Sequence, residues 1–127
     1  MIKSIGGANM QKLHKITLIV SILILIIILL PFIYLEVNRN IYENKVTNYL
    51  LEEMEYDKGE IGSVEGVYGF KMPEFYTIVT FENEPYVEYT YFAHNTVLQF
   101  GYEIIDKEHD GITKEDLKNL DPNGLID

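Results

Sequence analysis

One stretch limits what this chain can fold into: "ITLIVSILILIIILLPFIYL", Ile16 to Leu35. It runs for 20 residues without a charge, and 16 of them are Ile, Leu, Val or Phe. As a helix it would extend ~30 Å, the hydrocarbon thickness of a bilayer. Inserting that many aliphatic side chains is favourable by roughly 5–10 kcal/mol at most. The competing interpretation is a buried core helix. A chain of 127 residues has too little other material to surround a helix that is apolar on every side. The run therefore predicts a transmembrane helix over residues 16–36. A cleaved signal peptide would need a shorter apolar region and small residues at its cleavage site. The following "PFIYLEVNRNIYENKV" contains no Ala, Gly or Ser, so an uncleaved signal anchor is expected.

Charge orients the anchor. Lys3, Lys12 and Lys15 precede the run with no acid among them, whereas from Glu36 onward 20 acids face seven bases. Lysines flanking a membrane helix stay on the cytoplasmic side. Residues 1–15 are thus expected as a basic cytoplasmic tail of a single-pass cell-membrane protein, with the C-terminal part extracytoplasmic. Met10 offers a second candidate start, since "MQKLHKITLIV" already carries the charged lead. The lipid bilayer is one expected partner. The acid excess disfavours nucleic acid as a partner of the C-terminal part, and none is expected, because phosphate binding needs clustered Lys and Arg. The absence of cysteine excludes disulfides, thiolate chemistry and Cys-ligated zinc.

Beyond the anchor, "VNRNIYENKVTNYLLEEMEY" (37–56) places Ile41, Tyr42, Val46, Tyr49, Leu50 and Met54 at helical intervals. Asn38 or Asn40 could cap such a helix. Its end is crowded by Glu52, Glu53, Glu55 and Asp57, which oppose the helix dipole. Four strand candidates follow at 63–71, 75–81, 86–92 and 97–104, rich in aromatic and β-branched residues in period-two order. The short links "MPE", "ENEP" and "AHNT" favour an antiparallel meander. An amphipathic helix and a one-sided sheet bury their apolar faces most simply on each other. The expected fold class is α+β: an N-terminal transmembrane helix, then one amphipathic helix packed on a four-stranded antiparallel β-meander over 37–106, then an acidic tail, 107–127, with a short helix. Gly66, Gly69 and Gly101 inside strands point to bulges or close approaches. In the tail, Thr113 and Asp116 have capping spacing ahead of Leu117 and Leu120.

Candidate chemistry is sparse. "DKEHDGITKEDL" sets Asp106, Glu108 and Asp110 at alternate positions before Gly111, as a calcium loop does, but its twelfth position is Leu117 where a bidentate glutamate belongs. These three acids are weak metal candidates, and a solvated acidic turn is the plainer interpretation. Glu82, Glu84 and Glu88 are close enough in sequence to suggest paired carboxylates for hydrolysis. Glu82 and Glu84 fall in an expected hairpin turn, where hydration explains them. Nucleophilic catalysis lacks material: beyond the anchor the only serine is Ser63 and the only histidines are His94 and His109. No catalytic or cofactor-binding residue is assigned and no cofactor is expected. Of ten tyrosines, Tyr86, Tyr89, Tyr91 and Tyr102 are candidates for an aromatic patch binding a membrane or cell-wall protein or peptide; ordinary sheet packing is the alternative.

In their order, the aliphatic anchor "ILIIILLPFIYLEVN", then "NKVTNYLLEEMEY", "IGSVEGVYGFKMPEFYTIVTFENEPYVEYTY" and "QFGY" resemble an uncharacterised Gram-positive family of short membrane-anchored proteins, a domain of unknown function. The resemblance spans residues 16–102, and the tail beyond departs from the family's usual short ending. It implies a signal anchor followed by a small extracytoplasmic α+β domain, and it brings no activity, cofactor or binding residue. Two classes of function follow. One is a non-catalytic interaction or regulatory module, and the other is an acidic metal-dependent (calcium-binding) or hydrolytic domain.

Overall fold

The computed structural model describes residues 2–69 and 74–126, with side chains from residue 9 onward. The chain divides into two units, Met1–Glu36 and Val37–Asp127. The first unit is helical, part of α1 (Ile2–Asn48). The most apolar 18-residue window has a mean hydropathy of 3.3, and none of it is buried. Ile27 and Phe32 are 66% and 67% exposed. The chain thus has one N-terminal helix long and apolar enough to cross a membrane. Ser21 Oγ donates to Thr17 O at 2.7 Å, so this hydroxyl is satisfied within its own helix. Pro31 lies inside α1.

The second unit is an α+β domain. Its helical part begins in α1, so Asn38 and Asn40 lie within a helix and not at its start. Past Asn48 the helix widens into a π-helical turn, Tyr49–Glu53. Met54 N–H donates to Tyr49 O at 3.1 Å and Tyr56 N–H to Leu50 O at 2.9 Å. Glu55 closes the turn in the left-handed region at φ 61. The crowded acids give a physical reason for this loosened end: each opposes the partial negative charge of the last carbonyls.

Four antiparallel strands follow in the order β1-β2-β3-β4: β1 (Ile61–Tyr68), β2 (Phe75–Phe81), β3 (Glu84–Phe92) and β4 (Leu98–Ile104). The expected end of the first strand at Phe70 and Lys71, and most of the "MPE" link, lie outside the described residues. β2 alternates strictly, burying Phe75, Thr77, Val79 and Phe81. Val87, Tyr89, Tyr91 and Ala93 extend the same face, and Val46 and Leu50 close it from the helix side. Helix and sheet approach closely at Gly66. A Cβ there would sit 2.7 Å from the Arg39 carbonyl oxygen. Its N–H donates to Glu43 Oε1 at 2.7 Å. Glycine is required because the helix backbone occupies the side-chain space.

Three register shifts depart from simple alternation, the first between Ile61 and Ser63 where β1 pairs with β2. Phe81 pairs with Glu84 and Val79 with Tyr89, so β3 bulges around Pro85. The turn is therefore only Glu82 and Asn83, and Glu84 begins the strand. Tyr91 pairs with Gln99 but Thr90 with Gly101, leaving Phe100 as the extra residue. That bulge turns both Gln99 and Tyr102 toward the inner face, although simple alternation would have put them on opposite faces. The tail is a further difference. The expected short helix is one 3-10 turn, Lys114–Asp116. Thr113 N–H donates to Asp116 Oδ2 at 3.0 Å, as the capping spacing suggested. Beyond it the backbone extends at Leu117, and Asn119 and Asp121 are buried against the sheet.

Candidate functional site

The polar groups of the second unit converge on the inner face near the start of β3. The bulge at Pro85 turns Glu84 inward, and its side chain is fully buried. Glu84 Oε1 accepts from the Tyr89 hydroxyl and, at 2.9 Å, from Asn119 Nδ2. Glu84 Oε2 accepts from the Lys118 backbone N–H at 2.9 Å. A carboxylate removed from water needs such donors, since each unmet acceptor costs free energy. Glu84 was expected as a hydrated turn residue. It is instead a buried acceptor because the turn is two residues shorter than "ENEP".

Gln99 forms the second node. Its Nε2 donates to Tyr91 Oη and to Asn119 O, both at 2.9 Å, and its Oε1 accepts from Asp121 N–H at 2.8 Å. The backbone N–H can only donate, which fixes the orientation of the amide. The Asn119 amide is fixed by its Nδ2 donation to the Glu84 carboxylate, which only accepts. Its Oδ1 accepts from the Tyr56 hydroxyl at 3.1 Å, and its Nδ2 also donates to Asn83 Oδ1 at 2.8 Å. Asp121 accepts from the Tyr49 hydroxyl and, at 2.8 Å, from Asn123 N–H. Burial first, then the Asp121 carboxylate, pushes the Tyr49 phenol up to about 12. Burial likewise raises Tyr56, Tyr89 and Tyr91 above the usual phenol value.

The tyrosines singled out from the sequence thus separate into two groups. Tyr89 and Tyr91 are buried with their hydroxyls engaged internally, so neither presents a surface to a partner. Tyr102 is half-buried opposite Tyr89. Tyr86 stacks on the His109 ring, with centroids 3.9 Å apart and planes 3° from parallel. His109 Nδ1 lies 3.2 Å from Asp106 Oδ2. Asp106 Oδ1 accepts from Glu108 N–H at 2.9 Å. That backbone bond, with the His109 contact, holds Asp106 below the usual carboxylate range. Asp106, Glu108 and Asp110 therefore shape a 3-10 turn (Lys107–His109). Among the described residues no three His, Asp or Glu side chains gather as metal ligands. Glu82 is exposed and Glu88 half-buried, and neither joins Glu84 on the inner face.

Tyr49, Tyr56, Gln99, Asn119 and Asp121 had no part in the candidate site expected from sequence. The available signal was Gln99 amid apolar neighbours in β4. The tail residues gave none, since Asn and Asp near proline read as a solvated turn.

No curated protein and no solved structure matches the chain. A family described as "Protein of unknown function (DUF3139)" matches residues 11–91, well over half of the chain, from within the apolar helix to Tyr91. The match includes Glu84, Tyr89 and Tyr91 and stops short of Gln99 and the tail. The chain accordingly belongs to the DUF3139 family of proteins of unknown function.

Proposed function

We propose that residues 16–36 anchor this protein in the cell membrane of a Gram-positive bacterium, with the N-terminus cytoplasmic, and that residues 37–127 form a non-catalytic interaction or regulatory module on the outer side. The carrying observation is an apolar helical window with no buried residue, in a chain whose second unit has its own core. Water would not tolerate that much exposed aliphatic surface. Lys3, Lys12 and Lys15 support the orientation. The non-catalytic character is supported by the buried carboxylates and phenols, which bind one another and tail groups instead of an open cleft. The partner is a membrane or cell-wall protein or peptide.

Because the chain has no cysteine, topology is testable with single replacements. On intact cells, Glu82→Cys should react with a membrane-impermeant maleimide, and Lys12→Cys should react only after lysis. The reverse pattern would overturn the orientation. For the partner, crosslinking from Glu82→Cys in native membranes should capture a defined protein or peptide, and capture of lipid alone would remove the interaction module.

A further inference from the structure

The tail touches the inner face as a bound peptide touches its receptor. Gln99 bonds through both ends of its amide to Asn119 O and Asp121 N–H, two main-chain groups that flank Leu120. A neighbouring strand would make the same pair of bonds. Glu84 takes Lys118 N–H, and the Gln99 carbonyl takes Leu125 N–H at 2.8 Å. These four bonds use groups that any extended peptide carries. Two side chains add selectivity. The Asn119 amide is read by Glu84, Asn83 and Tyr56, and the Asp121 carboxylate by Tyr49. Main-chain bonds for affinity and side-chain contacts for specificity is the division of labour in peptide grooves.

The surface beneath also suits a groove. Three tyrosine hydroxyls, those of Tyr49, Tyr56 and Tyr89, bond the tail beside Glu84 and Gln99, and the Tyr91 hydroxyl takes Gln99 Nε2. Tyrosine-rich polar surfaces are at home in water and in binding sites alike. Val46, Leu50, Val79, Phe81 and Val87 form an apolar core with Tyr89, Tyr91 and Ala93, and Leu117 and Leu120 of the tail pack against it. Among the described residues the tail has no helix or strand of its own beyond Asp116. It is reached through an exposed lead in which a Cβ at Gly111 would meet nothing within 4 Å.

We propose that Glu84, Tyr89, Tyr91, Gln99, Tyr49 and Tyr56 form a peptide-binding groove, occupied in cis by the tail. Its ligand in trans is an extended segment with Asn and Asp two residues apart. This deepens the interaction-module reading and rests on it for the biological partner alone. Peptide exchange can fail while membrane crosslinking succeeds, and the converse also holds.

The test uses the whole chain in detergent micelles, with a protease site inserted at Gly111 and cleaved after folding. In the uncut chain the tethered tail acts at roughly millimolar effective concentration and keeps dilute peptide out. After cleavage, a labelled peptide of residues 114–126 should exchange into the groove. The same peptide with Asn119→Ala and Asp121→Ala should bind at least ~10-fold more weakly. Equal binding of both peptides, or a nicked domain that unfolds and is not restored by peptide, would overturn the proposal. On the uncut chain, amides of Lys118 and Asp121 should exchange hydrogen at least ~10-fold faster than those of β2 and β3. Equal rates would make the tail inseparable from the fold and would also overturn it. If peptide addition converts a dimer to monomer, the trans ligand is a second copy's tail. If a monomer takes up peptide, the groove accepts a segment in trans without a second copy. Either result supports the groove.

Discussion

Replacing Glu84 by alanine tests the buried network at its most connected point. The change removes an acceptor from three donors: the Tyr89 hydroxyl, Asn119 Nδ2 and Lys118 N–H. Asn119 Nδ2 keeps Asn83 Oδ1, so two donors lose their acceptor outright. A buried orphaned donor costs ~1–3 kcal/mol. The Lys118 amide is only part-buried and recovers some of this from water. With the cavity left behind, the expected loss is about 3–5 kcal/mol. A domain of this size has a total stability of about 5–14 kcal/mol. Glu84→Gln keeps the shape and one acceptor oxygen, and should cost about 1–2 kcal/mol. Glu82→Ala, exposed in the same turn, should stay within about 0.5 kcal/mol of wild type. The assay is urea unfolding of the full chain in micelles, followed by tyrosine near-UV dichroism, since the long N-terminal helix would mask helical signals. The thermal midpoint of Glu84→Ala should also fall by at least about 12 °C. A Glu84→Ala loss below about 1 kcal/mol, or one no larger than that of Glu82→Ala, would refute the argument.

Three further outcomes are expected. Gly66→Ala should cost about 2–4 kcal/mol by forcing the helix backbone off β1 and breaking the bond to Glu43; a urea midpoint equal to that of Gly111→Ala, which meets open space, would contradict it. Glu55→Gly should add about 1 kcal/mol by relieving the left-handed backbone and removing an acid from the helix end, and a lower melting temperature would count against this account. Tyr49, Tyr56, Tyr89 and Tyr91 have folded pKa values above their unfolded ones. Their contribution is therefore complete below pH ~10 and lost as pH rises through the folded values, for Tyr49 about 12. Tyrosinate absorbance should show a cooperative step above pH 10 that coincides with unfolding, whereas ionisation of every tyrosine with the fold intact would refute it.

Much of the sheet was legible because period-two patterning is a local signal. β2 begins and ends where its alternation does, and the short links correctly implied antiparallel neighbours. Glu84 and Gln99 were harder for a shared reason. Each lies beside a bulge, and one extra residue reverses which face the neighbours occupy. The inward turn of Asn119 and Asp121 depends on acceptors and donors that come from strands far away in sequence. Hydropathy patterning carries no information about such pairing, so polar residues near Pro122 and Gly124 looked like a hydrated end. Gly66 was legible as a special position, but not the reason for it, which is the arrival of a helix 23 residues earlier in the chain.

The bond between Tyr49 and Asp121 joins residues 72 positions apart. Closing so long a loop costs about 4 kcal/mol in chain entropy, and nothing local to the tail repays it in advance. Helix turns and hairpins can form before the whole chain has been made. The inner face cannot be completed until Asp121 has arrived. Until then Glu84, Tyr89 and Gln99 stand open to any extended segment nearby. The order of synthesis thus gives the nascent domain a receptive interval that its own tail ends.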